Sequence, residues 1–303
     1  MLICDTHADT LYAMQEVGRP AIPFNITKEG LLAGDPDDVR VQAMALWTGG
    51  KGLRDEDEGL IARELQQLDA LKRDGFRQIT RIDDALPGVP NILLTVEGGE
   101  VFHGGVSTVD DYAALGVRVA AIVWNNENQL ASPAVHGSDK GLTPYGREVV
   151  RRMQALHMAV DVSHLNEAGF YDLFALGQKP PMASHSCCRA LCEHPRNLTD
   201  EQLRLIFSAG GFVGVNFYPC FLDNSGRANV ERVVDHIDHM LSVGGDGHVG
   251  LGSDFDGIEL CPDGLENAGK LYNLFDAMRH RGYDERTVRA VAGESFKAYL
   301  ERL

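Results

Sequence analysis

Short, continuous apolar runs recur along the chain, each followed by a polar, glycine-containing patch and then by a segment with helical spacing. The runs are Leu2–Cys4, Val41–Trp47, Ile92–Val96, Val117–Val123, Met158–Val162, Pro181–Ala183, Phe212–Val215 and Val249–Leu251, eight in all. Runs without polar alternation suit strands covered on both faces, as in a parallel sheet. Between them, Asp55 to Lys72 places Leu60, Ile61, Leu65, Leu68 and Leu71 at near-helical spacing. Thr143-Pro144-Tyr145-Gly146 reads as a cap with proline at the first helical position, leading into Arg147–Leu156. Thr199 offers another cap, with Gln202 three residues on. Eight strands alternating with helices predict a (β/α)8 TIM barrel of the α/β class. The rival, a doubly wound open sheet, needs a glycine-rich phosphate turn after its first strand, and Asp5-Thr6-His7-Ala8-Asp9 is nothing like one.

Composition narrows the class. No linker or low-complexity tract divides the 303 residues, so residues 1–303 are expected to form a single domain, a size that barrels commonly reach. Hydrophobic content of 44% and charged content of 24% are ordinary globular values and exclude a disordered chain. No apolar run approaches the length of a membrane span, and no basic stretch precedes an apolar one at the start, so a soluble, cytoplasmic protein is expected. The net charge of −16 argues against nucleic acid or an anionic membrane as partner, but not against a cation. Six cysteines in such a chain read as reduced thiols.

In a barrel of this kind, residues just past the strand ends line the active-site mouth. Here those ends supply His7 and Asp9, Glu97, His164, His185, and Asp254 with Asp256. So many imidazoles and carboxylates on one rim are costly to leave unpaired, and a pair of divalent cations offsets that charge. His7 and Asp9 are two residues apart, which lets both face one ion from an extended segment; alone, the motif equally describes a polar turn. Glu97 can bridge two ions or cap a helix. His164 and His185 follow buried-looking runs, unlike His236 and His239, which fall inside a predicted helix; each taken alone also suits a satisfied core histidine. Asp254 can move protons beside a metal-activated water, or can be an Asx-turn residue like Asp256 before Gly257. Cys187, Cys188 and Cys192 lack the spacing of a thiolate zinc site and are expected to pack beside the mouth.

Together the motifs resemble the membrane (renal) dipeptidase family, zinc-dependent M19 peptidases with an amidohydrolase-like barrel. The strings are Asp5-Thr6-His7-Ala8-Asp9, Val96-Glu97-Gly98-Gly99, Gly141-Leu142-Thr143-Pro144-Tyr145-Gly146, Asp161-Val162-Ser163-His164, Ser184-His185-Ser186 and Pro195-Arg196-Asn197-Leu198. Val215-Asn216-Phe217-Tyr218, Gly252-Ser253-Asp254-Phe255-Asp256-Gly257 and Gly293-Glu294-Ser295-Phe296 complete the order. The resemblance implies a metallodipeptidase with two Zn2+ per chain: His7 and Asp9 on one ion, His164 and His185 on the other, Glu97 bridging. It further implies a metal-bridging hydroxide as nucleophile and Asp254 as the acid/base. Arg196, Tyr218 and the residue at position 124 would meet a small dipeptide substrate, and a homodimer is compatible with it. At Ile122-Val123-Trp124-Asn125 the chain departs from the family's Leu-Thr-His-Asn-like string, so Trp124 stands where a substrate-contacting histidine is expected. That departure motivates an alternative, a binuclear metallohydrolase for another amide or ester such as an N-acyl amino acid. A binding protein that has lost its chemistry is disfavoured, because every ligand position and Asp254 are filled.

Overall fold

A computed structural model describes residues 1–15, 24–49, 55–177 and 179–303, including the backbone but not the side chains of residues 55–58. Among the described residues nine strands run in chain order: β1 (Leu2–Asp5), β2 (Val39–Trp47), β3 (Arg77–Ile79), β4 (Pro90–Glu97), β5 (Val119–Ala121), β6 (Ala159–Asp161), β7 (Met182–Ser186), β8 (Phe212–Val215) and β9 (Val249–Leu251). Every pairing between them is parallel, and β2 pairs with both β1 and β4, so eight strands close in the order β1-β2-β4-β5-β6-β7-β8-β9. This is the (β/α)8 barrel, and each of the eight apolar runs falls on one of its strands.

The ninth strand, β3, was not anticipated. It pairs with the first half of β4, at Asn91–Leu93, while β5 takes the second half at Thr95–Glu97. Its residues Arg77-Gln78-Ile79 are too few and too polar to register as a buried run.

The lower barrel is filled by side chains from seven strands: Cys4, Val41 with Ala43, Leu93, Val119, Ala159, Met182 and Phe212. On the eighth, β9, the corresponding place is Gly250, where a Cβ would sit 2.7 Å from the Phe212 ring. The bottom is plugged by Phe296 and Tyr299 of helix Ser295–Glu301, whose rings lie 5.2 and 6.1 Å from that of Phe212. Strand side chains alternate faces, so the inward rows Ala43-Ala45-Trp47 and Leu93-Thr95-Glu97 climb from this plug to the open end. The outer faces pack on the helices. Helix Asp55–Arg73 buries Leu60, Ile61 and Leu68; helix Pro144–Ala155 starts at the Thr143 cap, and helix Asp200–Ser208 at the Thr199–Gln202 capping box. Each such cap contributes about 1 kcal/mol. Among the described residues no helix is long and apolar enough to cross a membrane.

Candidate active site

Two buried aspartates organise the strand ends. Asp5 Oδ1 accepts from the Ser253 amide at 2.8 Å, and the Ser253 hydroxyl donates to Oδ2, which ties β1 to the segment after β9. Asp161 Oδ1 accepts from the amides of Ser163 and Ser184, each at 2.9 Å, and Ser184 Oγ donates to Oδ2, which ties β6 to β7. Thr6 Oγ1 lies 2.6 Å from Ser184 O and 2.7 Å from Leu251 O, drawing β1, β7 and β9 together. The residues that follow these clamps are the sequence candidates.

His164 leaves its strand with φ of +69°, and Asp254 and Asp256 have φ of +63° and +65°. For residues other than glycine, such conformations cost about 1–3 kcal/mol each and persist where surrounding contacts hold them. Gly257 has the converse role: a Cβ there would lie 2.0 Å from Asp9 Oδ2, so glycine leaves the Asp9 carboxylate its seat.

His164 and His185 have fixed tautomers. His164 Nδ1 donates to Asn125 Oδ1 at 2.8 Å. The Ser184 hydroxyl proton is given to Asp161, so Ser184 Oγ accepts from His185 Nδ1 at 2.7 Å. Both Nε2 atoms therefore present lone pairs. They lie 3.0 Å from each other and 2.9 and 3.5 Å from Glu97 Oε1. Burial pushes the pKa of both rings well below the usual histidine value. His7 stacks on His185 with centroids 3.9 Å apart, and its Nε2 lies 3.6 Å from Glu97 Oε1, 3.7 Å from Asp9 Oδ2 and 3.8 Å from Asp254 Oδ1. His7 Nε2 and Asp9 Oδ1 are buried without a hydrogen-bond partner. Burial lowers the pKa of His7, but Glu97 and Asp9 raise it by more, so that it stands well above the usual histidine value; a cation among these carboxylates would take the place of that proton.

Two overlapping ligand sets meet at Glu97, His7–Asp9–Glu97 and Glu97–His164–His185, and a third, His7–His185–Asp254, lies beside them, with the ligand atoms of each set within 4.8 Å of one another. Glu97 is shared. Burial and the neighbouring Asp9 push its carboxyl up to about 7, although His7 pulls the other way. Asp254 is also raised, first by burial, and its Oδ2 accepts from Asn216 Nδ2 at 2.9 Å. The residues thus fit a pair of cations.

A cleft of about 950 Å³ opens above the carboxylates and is lined by Arg196, Tyr218, Trp124 and Trp47, among others. Arg196 is buried; its guanidinium lies 5.4 Å from the Phe221 ring centroid, and its Nη2 has no partner. The Tyr218 ring packs edge-on against Phe221 at 5.0 Å, and its amide donates to Asn216 Oδ1 at 2.6 Å. Hydrogen bonding to Cys220, together with burial, pushes the Tyr218 hydroxyl up to about 12. Trp124 reaches the same space, 6.1 Å from the His164 ring. All nine candidate residues are thus gathered at one barrel mouth.

Other residues separate from them. Asp256 accepts from Thr10 Oγ1 at 2.6 Å and from the Asn25 amide at 2.7 Å, which makes it a tether for the segment at Asn25. His236 accepts from the Cys188 amide through Nδ1 and meets Leu222 O through Nε2, a satisfied core histidine. The Cys187 and Cys188 thiols donate to Asn216 O and His236 O, and burial keeps both protonated. The clamps Asp5 and Asp161 and the supports Asn125, Ser184 and Asn216 were not singled out from sequence, although all lie within the quoted strings. Trp47 was read only as the end of a strand. A polar residue inside a short apolar run was the available signal for Asp161.

A closed parallel barrel that gathers imidazoles and carboxylates on its axis at the C-terminal mouth defines a barrel metallohydrolase. The model of the membrane dipeptidase family, peptidase family M19, matches residues 1–298, and the chain belongs to this family. It is 37% identical over 262 residues to an uncharacterized protein in the pqqA 5′ region of Klebsiella pneumoniae, covering 83% of this chain and 91% of that one. It is 34% identical over 249 residues to an uncharacterized dipeptidase of Schizosaccharomyces pombe, covering 78% of this chain but only 61% of that protein. Among solved structures, a metallopeptidase from Rhodobacter sphaeroides liganded with a phosphinate mimic of the dipeptide L-Ala-D-Ala superposes with a TM-score of 0.83, at 26% identity, covering 100% of this chain and 99% of that one.

Proposed function

We propose that the chain is a dizinc dipeptidase that cleaves the peptide bond of small dipeptides. The observation that carries the proposal is the convergence of three histidine Nε2 atoms on Glu97 Oε1. His7, Asp9 and Glu97 would hold one ion, and Glu97, His164 and His185 the other. When bound, such a pair supplies Lewis acidity toward the scissile carbonyl and lowers the pKa of water.

The chain's own residues do the rest. Arg196 has a free Nη2 and a planar fork suited to the substrate's carboxylate. Holding that carboxylate places the peptide bond over the barrel axis, beside Asp254. Asn216 holds Asp254 Oδ2, which leaves Oδ1 on the side of His7. Asp254 takes a proton from the attacking water and delivers it to the departing amine; the C–N bond breaks and the first residue leaves as a carboxylate. Asn125 and Ser184 keep the His164 and His185 lone pairs aimed inward throughout.

Elemental analysis of reconstituted protein should give about two zinc equivalents per chain, and dialysis against a chelator should abolish turnover of a dipeptide panel. Saturation near zero in folded protein overturns the proposal.

Trp124 supports a second reading, hydrolysis of N-acyl amino acids, because an indole cannot supply the cationic donor of a histidine at the reacting carbonyl. Trp124→His should leave zinc content unchanged and raise kcat/KM on dipeptides about tenfold, part of what one oxyanion donor is worth. Loss of activity on N-acyl amino acids without gain on dipeptides selects the second reading. If neither substrate class responds, Trp124 does not face the carbonyl.

A further inference from the structure

The structure assigns a specificity role to Trp47: with Trp124 it forms an aromatic corner that receives the side chain of the dipeptide's first residue, so that large apolar or aromatic first residues are favoured. This rests on the dipeptidase reading above and adds the substrate class to it.

Three observations carry the assignment. First, Trp47 closes the inward row of β2, and its backbone is in register with Glu97 on the adjacent β4. The indole therefore stands directly beside the carboxylate shared by two of the ligand sets. Second, the Trp47 and Trp124 rings lie 5.0 Å apart with planes at 79°, and the Tyr12 ring, which also lines the cleft, meets Trp47 at 4.4 Å and 70°. Two rings meeting nearly at right angles offer a third ring edge-to-face contact on both sides, the preferred aromatic geometry. Both tryptophans are half-buried and line the cleft, so the corner opens toward the substrate space.

Third, the barrel topology fixes which end of the substrate meets this corner. In the closed order β1-β2-β4-β5-β6-β7-β8-β9, β2 and β7 are four places apart and hence diametrically opposed. Arg196 arises from the segment after β7 and Trp47 from the end of β2, with the ligand sets between them. A dipeptide whose carboxylate lies on Arg196 and whose carbonyl lies over the axis extends its first residue toward β2. The second residue's side chain stays on the Arg196 side.

The test compares matched dipeptides on zinc-loaded enzyme. Wild type should show kcat/KM for Phe-Ala about 10–100-fold above Gly-Ala, the range expected for burying a phenylalanine side chain. Trp47→Ala should bring that ratio within about threefold of unity, the remainder falling to Trp124 and Tyr12, while the ratio of Ala-Phe to Ala-Gly stays as in wild type. Trp47→Phe, which keeps a ring in place, should retain most of the preference and covers the case in which the alanine variant folds poorly. An independent readout needs no turnover, because the chain's two tryptophans are the two walls of the corner. L-phenylalanine should change tryptophan emission saturably and glycine should not. Turnover of Gly-Ala with no gain for Phe-Ala overturns the corner alone. A Trp47→Ala enzyme that keeps the ratio, or that alters the second-position ratio instead, also overturns it. No turnover of any dipeptide by the zinc-loaded protein overturns both this inference and the reading beneath it.

Discussion

Replacing Asp254 by asparagine is expected to lower dipeptide turnover by about 10²–10⁴, the usual scale of general acid–base catalysis, with zinc content close to wild type. The substitution isolates the proton because little else changes. Asparagine is among the residues that best tolerate a left-handed backbone, and position 254 has φ of +63°. Its amide oxygen can keep the hydrogen bond that Asp254 Oδ2 accepts from Asn216 Nδ2. Both ligand sets that contain Glu97 remain whole; only the third, His7–His185–Asp254, includes Asp254. What disappears is a carboxyl group whose pKa is raised, chiefly by burial, and which can accept and return a proton. Steady-state kinetics with elemental analysis on the same preparation checks the result. Unchanged turnover removes Asp254 from the mechanism, and a parallel loss of zinc shows that it binds metal instead.

The barrel was legible in the sequence because strands buried on both faces leave uninterrupted apolar runs, and β2, with Ala43, Met44, Ala45 and Leu46 all buried, is the plainest case. β7 was the least obvious run, because only Met182 and Ala183 of its residues precede the polar Ser184 and His185. β3 escaped for a different reason: it lies outside the ring on the lower half of β4 and buries only Ile79. Its position is set by pairing, which leaves no periodic trace in three residues.

The candidate site was legible as a set of residue types at strand ends, and the structure brings those residues to one mouth. The supports were harder to see. Asp5 and Asp161 bond across to neighbouring strands, so their roles depend on the β1–β9 and β6–β7 adjacencies that close the barrel. Ser184 looks like an ordinary strand residue until its proton is assigned to Asp161, which in turn sets the His185 tautomer. Trp47 is the instructive omission. At the end of an apolar run a tryptophan reads as core, and only its register with Glu97 and its contact with Trp124 place it at the substrate. A linear sequence shows that a residue ends a strand but not what stands across the barrel from it.

Glu97→Gln should cost more than any other carboxylate-to-amide change at the site, because Glu97 belongs to two of the ligand sets and Asp9 and Asp254 to one each. Zinc content is expected to fall from two equivalents to one or fewer, and turnover by more than about 10³. Removing one partner from a buried charge cluster costs roughly 3–5 kcal/mol, which corresponds to about 10²–10⁴ in metal affinity. Geometry adds to the charge effect. Glu97 Oε1 lies 2.9 Å from His164 Nε2, so an amide NH2 at that place would donate to the lone pair that a cation needs. The backbone has no room to swing the side chain elsewhere. Gly98 has φ of +104°, and a Cβ on Gly99 would lie 2.2 Å from Ile122 O, so the turn after β4 is fixed by its close packing. Glu97→Asp separates the two contributions: it keeps the charge but withdraws it by one methylene, and should retain more zinc than the glutamine variant while losing turnover. Two equivalents bound at wild-type affinity by Glu97→Gln, with turnover within tenfold of wild type, would show that the ions do not share this carboxylate and that the paired site centred on Glu97 is wrong.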